Sequence, residues 1–529
     1  MSFSNRIILP VIVSALGMLA ACGGGNTGVT NPTPPPSGGF SNSNLKGTYV
    51  FSITGADSSS GFLTVAGTFV ANGSGGITGG SIDMNDPNFS GPLTNSAVSG
   101  GQYTISADGR GQASLTTATP FSTPLQVDFV LSSSNSGLIT EFDNNGSGSG
   151  TLDLQTSTAQ PTAGTYVFGL SGISGFNAAT GGGIPAGAVG AITLDASGTA
   201  TGSYDYNNNG TPSLLTLNSG TVTAGSPGTA TLATSSGTLN FDVYSIDGSH
   251  MKMIEVDSTG LILAGDLFSQ TSASFPSGQM VFTMAGYDSG LAAPLAVGGY
   301  MTSDGTSAIT AGVEDFNDGG TSDSTPISFT GALSAANGRY QVQFNNFENG
   351  GNGANGTYTF AAYPSSGGIE MIEIDGNGVT SGVAFAQSST ALAASQGYGM
   401  NVSAENQNLG LEEDDIAEFT TTNSSFSGVV DVNDEGQQVV PNQRFTGTYS
   451  PDTPPTGRGI FNSSNFGGVY YTVDNADALF LELDQTQLGL GTLEGQNASA
   501  KSSLTASHFA MLRLKPGAKG AWRHHGVSK

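Results

Sequence analysis

Four glutamates recur along the chain in the same setting, a short apolar strand with a carboxylate near its centre. The four segments are Ile139-Thr140-Glu141-Phe142-Asp143, Met253-Ile254-Glu255-Val256-Asp257, Met371-Ile372-Glu373-Ile374-Asp375 and Phe480-Leu481-Glu482-Leu483-Asp484. A glutamine follows each glutamate by 14 or 15 residues, namely Gln155, Gln270, Gln387 and Gln496. This constancy indicates four copies of one unit, and such repeats have to be recognised before a fold is assigned.

The glutamate and the aspartate of each segment are two residues apart, so both side chains point to one face of a strand. The other face carries apolar pairs such as Ile254 and Val256, which favours a strand with its apolar face on the core and its acids in water. The alternative places the glutamates inside a barrel or cleft, where a raised pKa would suit acid–base work on glycans or the charge would bind a ligand. An enzyme seldom keeps four equivalent active sites, so the repetition favours structure or repeated weak binding over catalysis.

A second acidic motif precedes each glutamate strand and places oxygen-bearing side chains at every second position. Its members are Asp83 and Asn85; Asp205, Asn207 and Asn209; Asp315 and Asn317; and Asp431 and Asn433. This spacing suits Ca²⁺, which takes about six to eight oxygen ligands. No copy has the bidentate glutamate that closes an EF-hand loop, and Asp and Asn also gather in ordinary β-turns. The sequence therefore favours turns over calcium, and no other cofactor is expected.

The composition is that of packed β-structure rather than of a disordered chain. Of 529 residues, 80 are Gly and only 10% are charged, yet 28 Phe and 15 Tyr recur, often at alternating positions, whereas disordered chains are usually charged and short of aromatics. The formal net charge of −27 makes nucleic acid and anionic lipid headgroups poor partners, and it leaves cations, neutral glycans and basic proteins. His250 and His508 lie at unmatched positions in different units, which is a poor pattern for a metal site.

Each unit opens with an alternating strand such as Gly47-Thr48-Tyr49-Val50-Phe51. The units span 45–158, 159–273, 274–390 and 391–513, the last being the most divergent, and a basic tail follows at 514–529. Turn signals divide the first unit into about eight strands. We predict an all-β protein of four tandem antiparallel β-domains, each a small up-and-down barrel whose opening strand pairs with the strand before the glutamine. Two-sheet sandwiches, or a propeller drawing two blades from each unit, are the alternatives.

The N-terminus carries a targeting signal. Arg6 precedes an apolar run over residues 7–18 that is too short for a resident membrane helix. The run ends in Leu19-Ala20-Ala21-Cys22, which resembles the lipobox of bacterial lipoproteins. The resemblance implies a signal peptide over 1–21 and a diacylglycerol on Cys22, whose acyl chains anchor the mature protein in the membrane. Gly23 in place of Asp favours the outer membrane by the same analogy.

A flexible linker rich in Gly, Asn and Pro is expected from Cys22 to residue 44. Cys22 is the only cysteine, so the mature chain has no internal disulfide.

The pattern Gly-Thr-Tyr-x-Phe, Ile-Glu-x-Asp and Gln, repeated over roughly 45–500, resembles a class of uncharacterised bacterial lipoproteins. The resemblance implies an envelope location and brings no activity. We expect a non-catalytic, lipid-anchored cell-envelope protein of four domains in a row that bind or space something, with a glycan or an envelope protein as partner. The alternatives are a glycan-active secreted enzyme that uses some of Glu141, Glu255, Glu373 and Glu482, and a calcium-stiffened adhesion rod.

Overall fold

The structure is a computed structural model that describes residues 39–496 apart from 60, 90, 118–123, 178–181, 258–259, 291, 323–324, 337, 348–355, 408–409 and 436–438. The signal peptide, Cys22, most of the linker, residues 497–513 and the basic tail lie outside the described residues. The described part is β-structure with one 3₁₀ turn at Asn42–Asn44. In that part, no helix has the length and hydropathy needed to cross a membrane.

The first and fourth units each form a closed, eight-stranded antiparallel barrel. Barrel 1 consists of β1 (Lys46–Asp57), β2 (Phe62–Asn72), β3 (Gly76–Asn85), β4 (Leu93–Ile105), β5 (Arg110–Thr117), β6 (Leu125–Leu131), β7 (Ser136–Phe142) and β8 (Gly146–Leu154). Strands are numbered along the chain, and β9 to β26 belong to the second and third units. Barrel 4 consists of β27 (Gly397–Asn406), β28 (Leu411–Thr422), β29 (Ser425–Asp434), β30 (Val440–Pro451), β31 (Arg458–Ser463), β32 (Gly467–Thr472), β33 (Asp477–Glu482) and β34 (Gln487–Gly495).

The third unit forms a barrel with the same strand order, closed by pairing of its second and third strands. An additional two-residue strand pairs with the end of the third strand. Its strands are β18 (Ser277–Asp288), β19 (Ala293–Asp304), β20 (Ala308–Asp318), β21 (Thr321–Ser322), β22 (Ile327–Ala336), β23 (Arg339–Phe347), β24 (Gly356–Ser365), β25 (Gly368–Glu373) and β26 (Gly378–Ala386). Barrel 3 thus repeats barrel 1 in strand order and pairing.

The second unit departs from this plan at its fourth strand, which is divided in two. Its strands are β9 (Gly164–Asn177), β10 (Gly182–Leu194), β11 (Ala200–Asn208), β12 (Thr211–Thr216), β13 (Ser219–Thr223), β14 (Gly228–Thr234), β15 (Gly237–Ser245), β16 (His250–Glu255) and β17 (Ile262–Ser269). The strand β12 pairs with β11 and β13 pairs with β14. They form the two ends of a nine-stranded sheet, and an isolated bridge between Thr199 and Thr221 lies at the break. The prediction of four closed barrels is therefore wrong for barrel 2.

The predicted pairing of the first and last strands is confirmed in all four units. Tyr49 lies opposite Leu154 in barrel 1, and the strand pairs β9–β17, β18–β26 and β27–β34 repeat that arrangement. The up-and-down order leaves no place for two-sheet sandwiches or propeller blades. Because each sheet curls on itself, alternate residues of every strand point into an apolar core of that barrel alone.

The barrels do not stand in a row but pack in a ring. The first two strands of each barrel contact the sixth and seventh strands of the next, through apolar clusters that include Val50 with Ile254, Val167 with Ile372, and Val281 with Leu481. The fourth barrel continues the series onto the first, where Ile416 packs on Val130 and Leu138. One head-to-tail contact repeated four times therefore closes on itself, as heterologous interfaces do when the rotation permits. The rod hypothesis is wrong for this reason.

Glycine lets neighbouring barrels approach closely at these contacts. A Cβ on Gly298 of barrel 3 would lie 2.5 Å from the ring of Tyr471 in barrel 4, and a Cβ on Gly399 of barrel 4 would lie 2.7 Å from Val130 in barrel 1. Both separations are shorter than the 3.0 Å below which a Cβ atom does not approach another side chain. Part of the high glycine content is thus explained by packing between barrels and not by turns alone.

Candidate functional site

The four repeated glutamates are buried, each at or next to the end of the seventh strand of its barrel. Glu141, Glu255, Glu373 and Glu482 are between 0% and 3% exposed. They lie on the same side of the strand as core residues such as Met253 and Met371, whereas Ile254 and Ile372 face the neighbouring barrel. The expectation of acids in water is therefore wrong. Both faces of the strand are buried, because the ring covers the face that a lone barrel would expose.

Burial favours the protonated form of these carboxyl groups. It raises the pKa of Glu255 to about 8 and raises the pKa of Glu141, Glu373 and Glu482 well above the usual range. Neighbouring carboxylates raise these pKa values further, for example Asp143 beside Glu141. The carboxyl group of Glu373 lies beside the side chains of Asp375 and Thr380, which act on its pKa in opposite directions. A carboxyl group enclosed in this way is not open to a ligand.

The aspartate two residues after each glutamate has a structural role of its own. Its carboxylate accepts a hydrogen bond from a backbone N–H of the adjacent sixth strand or its flank. The pairs are Gln126 to Asp143 at 3.2 Å, Asn240 to Asp257 at 2.9 Å, Thr359 to Asp375 at 2.6 Å and Gly467 to Asp484 at 3.1 Å. The side chain continues the hydrogen-bond ladder after the strand ends, so a backbone donor does not go unpaired.

The asparagine of the second motif joins one barrel to the next by bonding the backbone of the glutamate strand. Its amide nitrogen donates to the carbonyl of the repeated glutamate in the following barrel. The four bonds run from Asn85 to Glu255 at 2.9 Å, from Asn207 to Glu373 at 2.9 Å, from Asn317 to Glu482 at 3.4 Å and from Asn433 to Glu141 at 2.7 Å. The two motifs that the sequence presents separately are therefore two halves of one junction, and the fourth junction closes the ring.

The aspartates of the second motif face partners across the same junctions, and these partners differ. Arg458 forms a bidentate ion pair with Asp315 at 2.6 and 2.7 Å, and the Tyr471 hydroxyl donates to Asp315 at 2.5 Å. Tyr363 and Arg339 both contact Asp205 at 2.6 Å. At the junction of barrels 4 and 1, the charge of Arg110 lies near Asp431.

The junction of barrels 1 and 2 has no arginine at the matching position. Gly228 begins the corresponding strand opposite Val243, and Pro227 precedes it where the other three barrels have Arg110, Arg339 and Arg458. Asp83 instead lies near Asp242 and Tyr244, and burial raises its pKa to about 7. An arginine thus pairs with the repeated aspartate at two junctions and lies near it at a third, whereas the junction of barrels 1 and 2 has none at this position.

These contacts bear on the calcium hypothesis. The amide nitrogens of Asn85, Asn207, Asn317 and Asn433 bond a neighbouring barrel, and Asn209 lies in the β11–β12 turn with φ of 53°. The described residues contain no group of three or more His, Cys, Asp or Glu side chains arranged to hold a metal ion. Calcium binding by these motifs stays a prediction without support from their geometry.

The glutamine of each repeat forms a third tie in the same cyclic order. Its side-chain nitrogen donates to a backbone carbonyl in the last two residues of the sixth strand of the next barrel. The bonds are Gln155 to Ser245 at 2.6 Å, Gln270 to Pro364 at 2.9 Å, Gln387 to Thr472 at 2.7 Å and Gln496 to Leu131 at 3.1 Å. The constant spacing between glutamate and glutamine therefore reflects two contacts that one barrel makes, one with each neighbour.

A cavity of about 570 Å³ lies where all four barrels meet, and we call it the axial cavity. The turns between the sixth and seventh strands contribute one wall each, and the ends of the eighth strands complete the lining. Residues from the four barrels that line it include Asn135, Asp153, His250, Phe268, Phe385 and Asp477. Carboxylates and aromatic rings converge there, which is a common composition for a binding site.

The axial cavity borders a buried charge cluster that breaks the fourfold pattern. Lys252 Nζ lies 2.6 Å from Thr151 Oγ1, 3.4 Å from Asp266 and 3.8 Å from Asp153. His250 Nε2 lies 2.7 Å from Asp266. Burial would raise the pKa of Asp266, but Lys252 and His250 outweigh it and lower that pKa to about 2. Among the described residues, the His250 ring bonds Asp266, and the hydroxyl of the cluster, that of Thr151, bonds Lys252.

Of this cluster, only His250 stood out in the sequence, and there as a poor metal ligand; Lys252, Asp266, Asp153 and Thr151 did not. Lys252 lies three residues before the repeated glutamate of its strand. The residues at the matching position of the other three barrels are Leu138, Glu370 and Leu479. A lysine inside an otherwise apolar strand was the available signal. Similarly, three of the chain's few arginines begin the fifth strands, at Arg110, Arg339 and Arg458. Their recurrence at one strand position could have indicated the ion pairs between barrels.

No protein-family model matches this sequence, and no curated protein matches it. Among solved structures, intact Ap-TbpB with its N and C lobes is 9% identical with a TM-score of 0.17, over 68% of this chain and 83% of that chain. A double mutant of transferrin binding protein B from Haemophilus parasuis Hp5 is 10% identical with a TM-score of 0.17, over 71% and 86%. The PapC usher pore of the P pilus is 8% identical with a TM-score of 0.11, over 86% and 99%. TM-scores this low support no argument about fold or function.

Proposed function

We propose that this chain is a non-catalytic, lipid-anchored protein of the cell envelope that binds a carbohydrate at the axial cavity. The observation that carries the proposal is the meeting of all four barrels around one cavity lined by carboxylates and aromatic rings. Phe268 and Phe385 offer apolar faces for sugar rings, and Asp153, Asp477 and His250 offer hydrogen-bonding groups for hydroxyls. A neutral glycan also suits a chain with a formal net charge of −27.

The repeated carboxylates argue against the enzyme alternative. Glu141, Glu255, Glu373 and Glu482 lie in four different barrels, and each is almost completely buried. Glycoside hydrolysis needs two carboxyl groups on opposite sides of one scissile bond, about 5 to 9 Å apart and open to the sugar. The backbone of each glutamate strand instead accepts a bond from the neighbouring barrel. The repeat therefore supplies a scaffold, and specificity comes from positions where the four copies differ.

A glycan array probed with the mature full chain tests the proposal. We expect a restricted set of bound glycans, and we expect Phe385→Ala, which alters the cavity wall, to weaken their binding. Phe89→Ala is the matched control, because Phe89 is 44% exposed and lies outside the cavity. A blank array, or equal binding by both variants, would contradict the proposal. Release of shortened glycan from a bound array member would contradict its non-catalytic part.

The anchor and the outer-membrane location rest on the resemblance of Leu19-Ala20-Ala21-Cys22 to a lipobox and on Gly23 after it. Labelling of cells with radioactive palmitate tests this part, followed by separation of inner and outer membranes. We expect label in the outer-membrane fraction for the wild type and none for Cys22→Ser. Label that persists in Cys22→Ser would contradict the anchor without bearing on glycan binding.

A further inference from the structure

Barrel 2 contains a second cavity, which is separate from the axial one. It has a volume of about 780 Å³ and lies at the mouth of the barrel, between the β11–β12 hairpin and the β14–β15 hairpin. Its walls include Tyr204, Leu215 and Leu239, which also belong to the core of barrel 2 or pack against it. The cavity is thus an extension of the barrel interior toward the surface.

One wall position distinguishes barrel 2 from barrels 3 and 4. In strand register, Leu239 of barrel 2 corresponds to Leu125 of barrel 1, Tyr358 of barrel 3 and Phe466 of barrel 4. Phe466 packs on Phe445 and Phe480 with ring centroids 5.3 and 5.6 Å apart. Tyr358 packs on Phe347 at 5.7 Å. Leu239 is smaller than either aromatic and, unlike Leu125 with its exposure of 3%, only partly buried, so the mouth of barrel 2 stays open.

The divided fourth strand widens the same mouth. The strand β12 pairs with β11 but not with β14, because the chain turns away at Leu217 and Asn218 before β13 rejoins the sheet. Leu217 donates its N–H to Gly202, and Asn218 donates to Ala233 on the opposite side of the break. The cavity lies beside the first half of the divided strand, where Ser213 and Leu215 point into it. The partly buried Leu239 and the divided strand therefore coincide at one place.

The chemistry of the lining identifies the class of ligand. No charged side chain is found among the described residues that line this cavity, although the chain carries 53 charged residues, 40 acidic and 13 basic. Leucine and tyrosine side chains form the inner part, and polar groups such as Asn208 and Ser213 form the rim. An ion would lose its hydration there without gaining a partner, at a cost of several kcal/mol. A neutral apolar molecule with one polar end matches both parts.

We propose that barrel 2 binds one neutral, largely apolar small molecule, with its apolar body against Tyr204 and Leu239 and its polar end at the rim. Eight-stranded barrels are wide enough to hold one small ligand. The volume also lies within the range of about 300 to 1,000 Å³ that small-molecule sites occupy. Barrel 2 thus adds a site of its own to the ring.

The probe that tests this is N-phenyl-1-naphthylamine, a neutral aromatic amine whose fluorescence rises on transfer to an apolar environment. The mature full chain is titrated with the probe, and we expect a saturable rise with one site per chain. Leu215→Asp should weaken binding by about tenfold or more, because the carboxylate would face the probe inside the cavity. Leu214→Asp is the matched control. Leu214 is 38% exposed and is not part of the lining, so its affinity should stay within about twofold of the wild type.

A second pair keeps the test valid if Leu215→Asp does not fold. Ser213→Trp places a large ring at the rim, and Thr216→Trp places the same ring on an exposed residue outside the lining. We expect the first to lower probe affinity and the second to leave it unchanged. The proposal is overturned if the wild type shows no saturable binding, or if the two members of both pairs behave alike. The glycan array is independent of these outcomes, because Leu215 and Ser213 lie outside the axial cavity.

Discussion

Asn433 of barrel 4 donates its side-chain amide to the backbone carbonyl of Glu141 in barrel 1, at a distance of 2.7 Å. The same nitrogen also donates to the carbonyl of Gly146 at 2.8 Å. The three preceding junctions make the equivalent bond between consecutive units, whereas this one joins residues 292 positions apart in the chain. The contact converts four consecutive domains into a closed ring.

The first prediction concerns this closing contact. Asn433→Ala removes both bonds and leaves two buried carbonyl groups without their donor, so we expect the free energy of unfolding to fall by about 2 to 4 kcal/mol. Denaturation in urea measures the change. Asn465→Ala, at an exposed turn of the same barrel, should change the free energy by no more than about 0.5 kcal/mol. Equal effects of the two substitutions would mean that the ring contact contributes nothing to stability.

Much of the fold follows from local pattern. The strand that opens each unit, the turn signals and the strand before the glutamine are all readable within about 115 residues, and the Tyr49–Leu154 pairing confirms that reading. The ring is not local, because Asn433 and Glu141 belong to opposite ends of the chain. The alternation of apolar and polar residues also fails to identify the inward face of a strand where both of its faces are buried. Met253 and Ile254 are 1% and 0% exposed, so neither polarity nor size tells which one faces its own barrel.

The candidate site was less predictable than the fold, for a related reason. Repeated residues such as Glu255 and Asn85 attract attention but serve the junctions. The residues of the charge cluster beside the axial cavity, such as Lys252 and Asp266, occur in one copy of the repeat. A single lysine in one copy of a repeat carries little weight until the structure brings Asp153 from another barrel to within 3.8 Å.

A second prediction separates the buried ion pair from its surroundings. Arg458→Met leaves Asp315 buried without its bidentate partner, so we expect a loss of about 3 to 5 kcal/mol of unfolding free energy. Arg458→Met combined with Asp315→Asn should lose less than Arg458→Met alone, because the buried carboxylate at position 315 is then removed as well; the other partner of Arg458, Asp452, is partly exposed. Urea denaturation of the wild type, both single variants and the double variant gives the coupling. Additive losses would show that the two groups do not interact.

A third prediction concerns Glu373, the buried glutamate of barrel 3. Burial raises its pKa well above the usual range, and Gln has almost the shape of a protonated Glu. We therefore expect Glu373→Gln to change the unfolding free energy by less than about 1 kcal/mol at pH 6, and Glu373→Ala to cost about 2 kcal/mol or more through the cavity it leaves. Thermal unfolding of the three proteins at pH 6 distinguishes them. A Gln variant as unstable as the Ala variant would indicate a charged, partnered carboxylate.

A fourth prediction addresses calcium directly. Because the amide nitrogens of Asn85, Asn207, Asn317 and Asn433 bond neighbouring barrels, and Asn317 Oδ1 accepts the N–H of Gly320, these side chains are already engaged. We expect millimolar Ca²⁺, added after treatment with a chelator, to leave the melting temperature unchanged. A ligand that binds only the native state raises that temperature as its concentration rises. A concentration-dependent increase would therefore restore the calcium hypothesis.

The last prediction follows from the buried acids. Burial raises the pKa of Glu255 to about 8 and that of Glu418 to about 9, whereas the unfolded chain releases these protons near pH 4.3. The native state therefore holds protons that the unfolded state has lost, and stability should fall as the pH rises from about 4 toward 9. Most proteins instead become more stable as their carboxyl groups ionise in this range.

Glu418→Gln tests the cause of that slope, because it removes one of the protons involved. We expect the variant to lose less stability than the wild type as the pH rises. The difference between their free energies of unfolding should grow by at most about 1.4 kcal/mol per pH unit. The control is Asp304→Asn. Backbone N–H groups of Ser307, Ala308 and Thr306 lower the pKa of Asp304, so it is ionised in both states above pH 5 and its loss should leave the slope unchanged. A stability that rises from pH 5 to pH 8 in the wild type would mean that the buried carboxyl groups are ionised and partnered in the native ring.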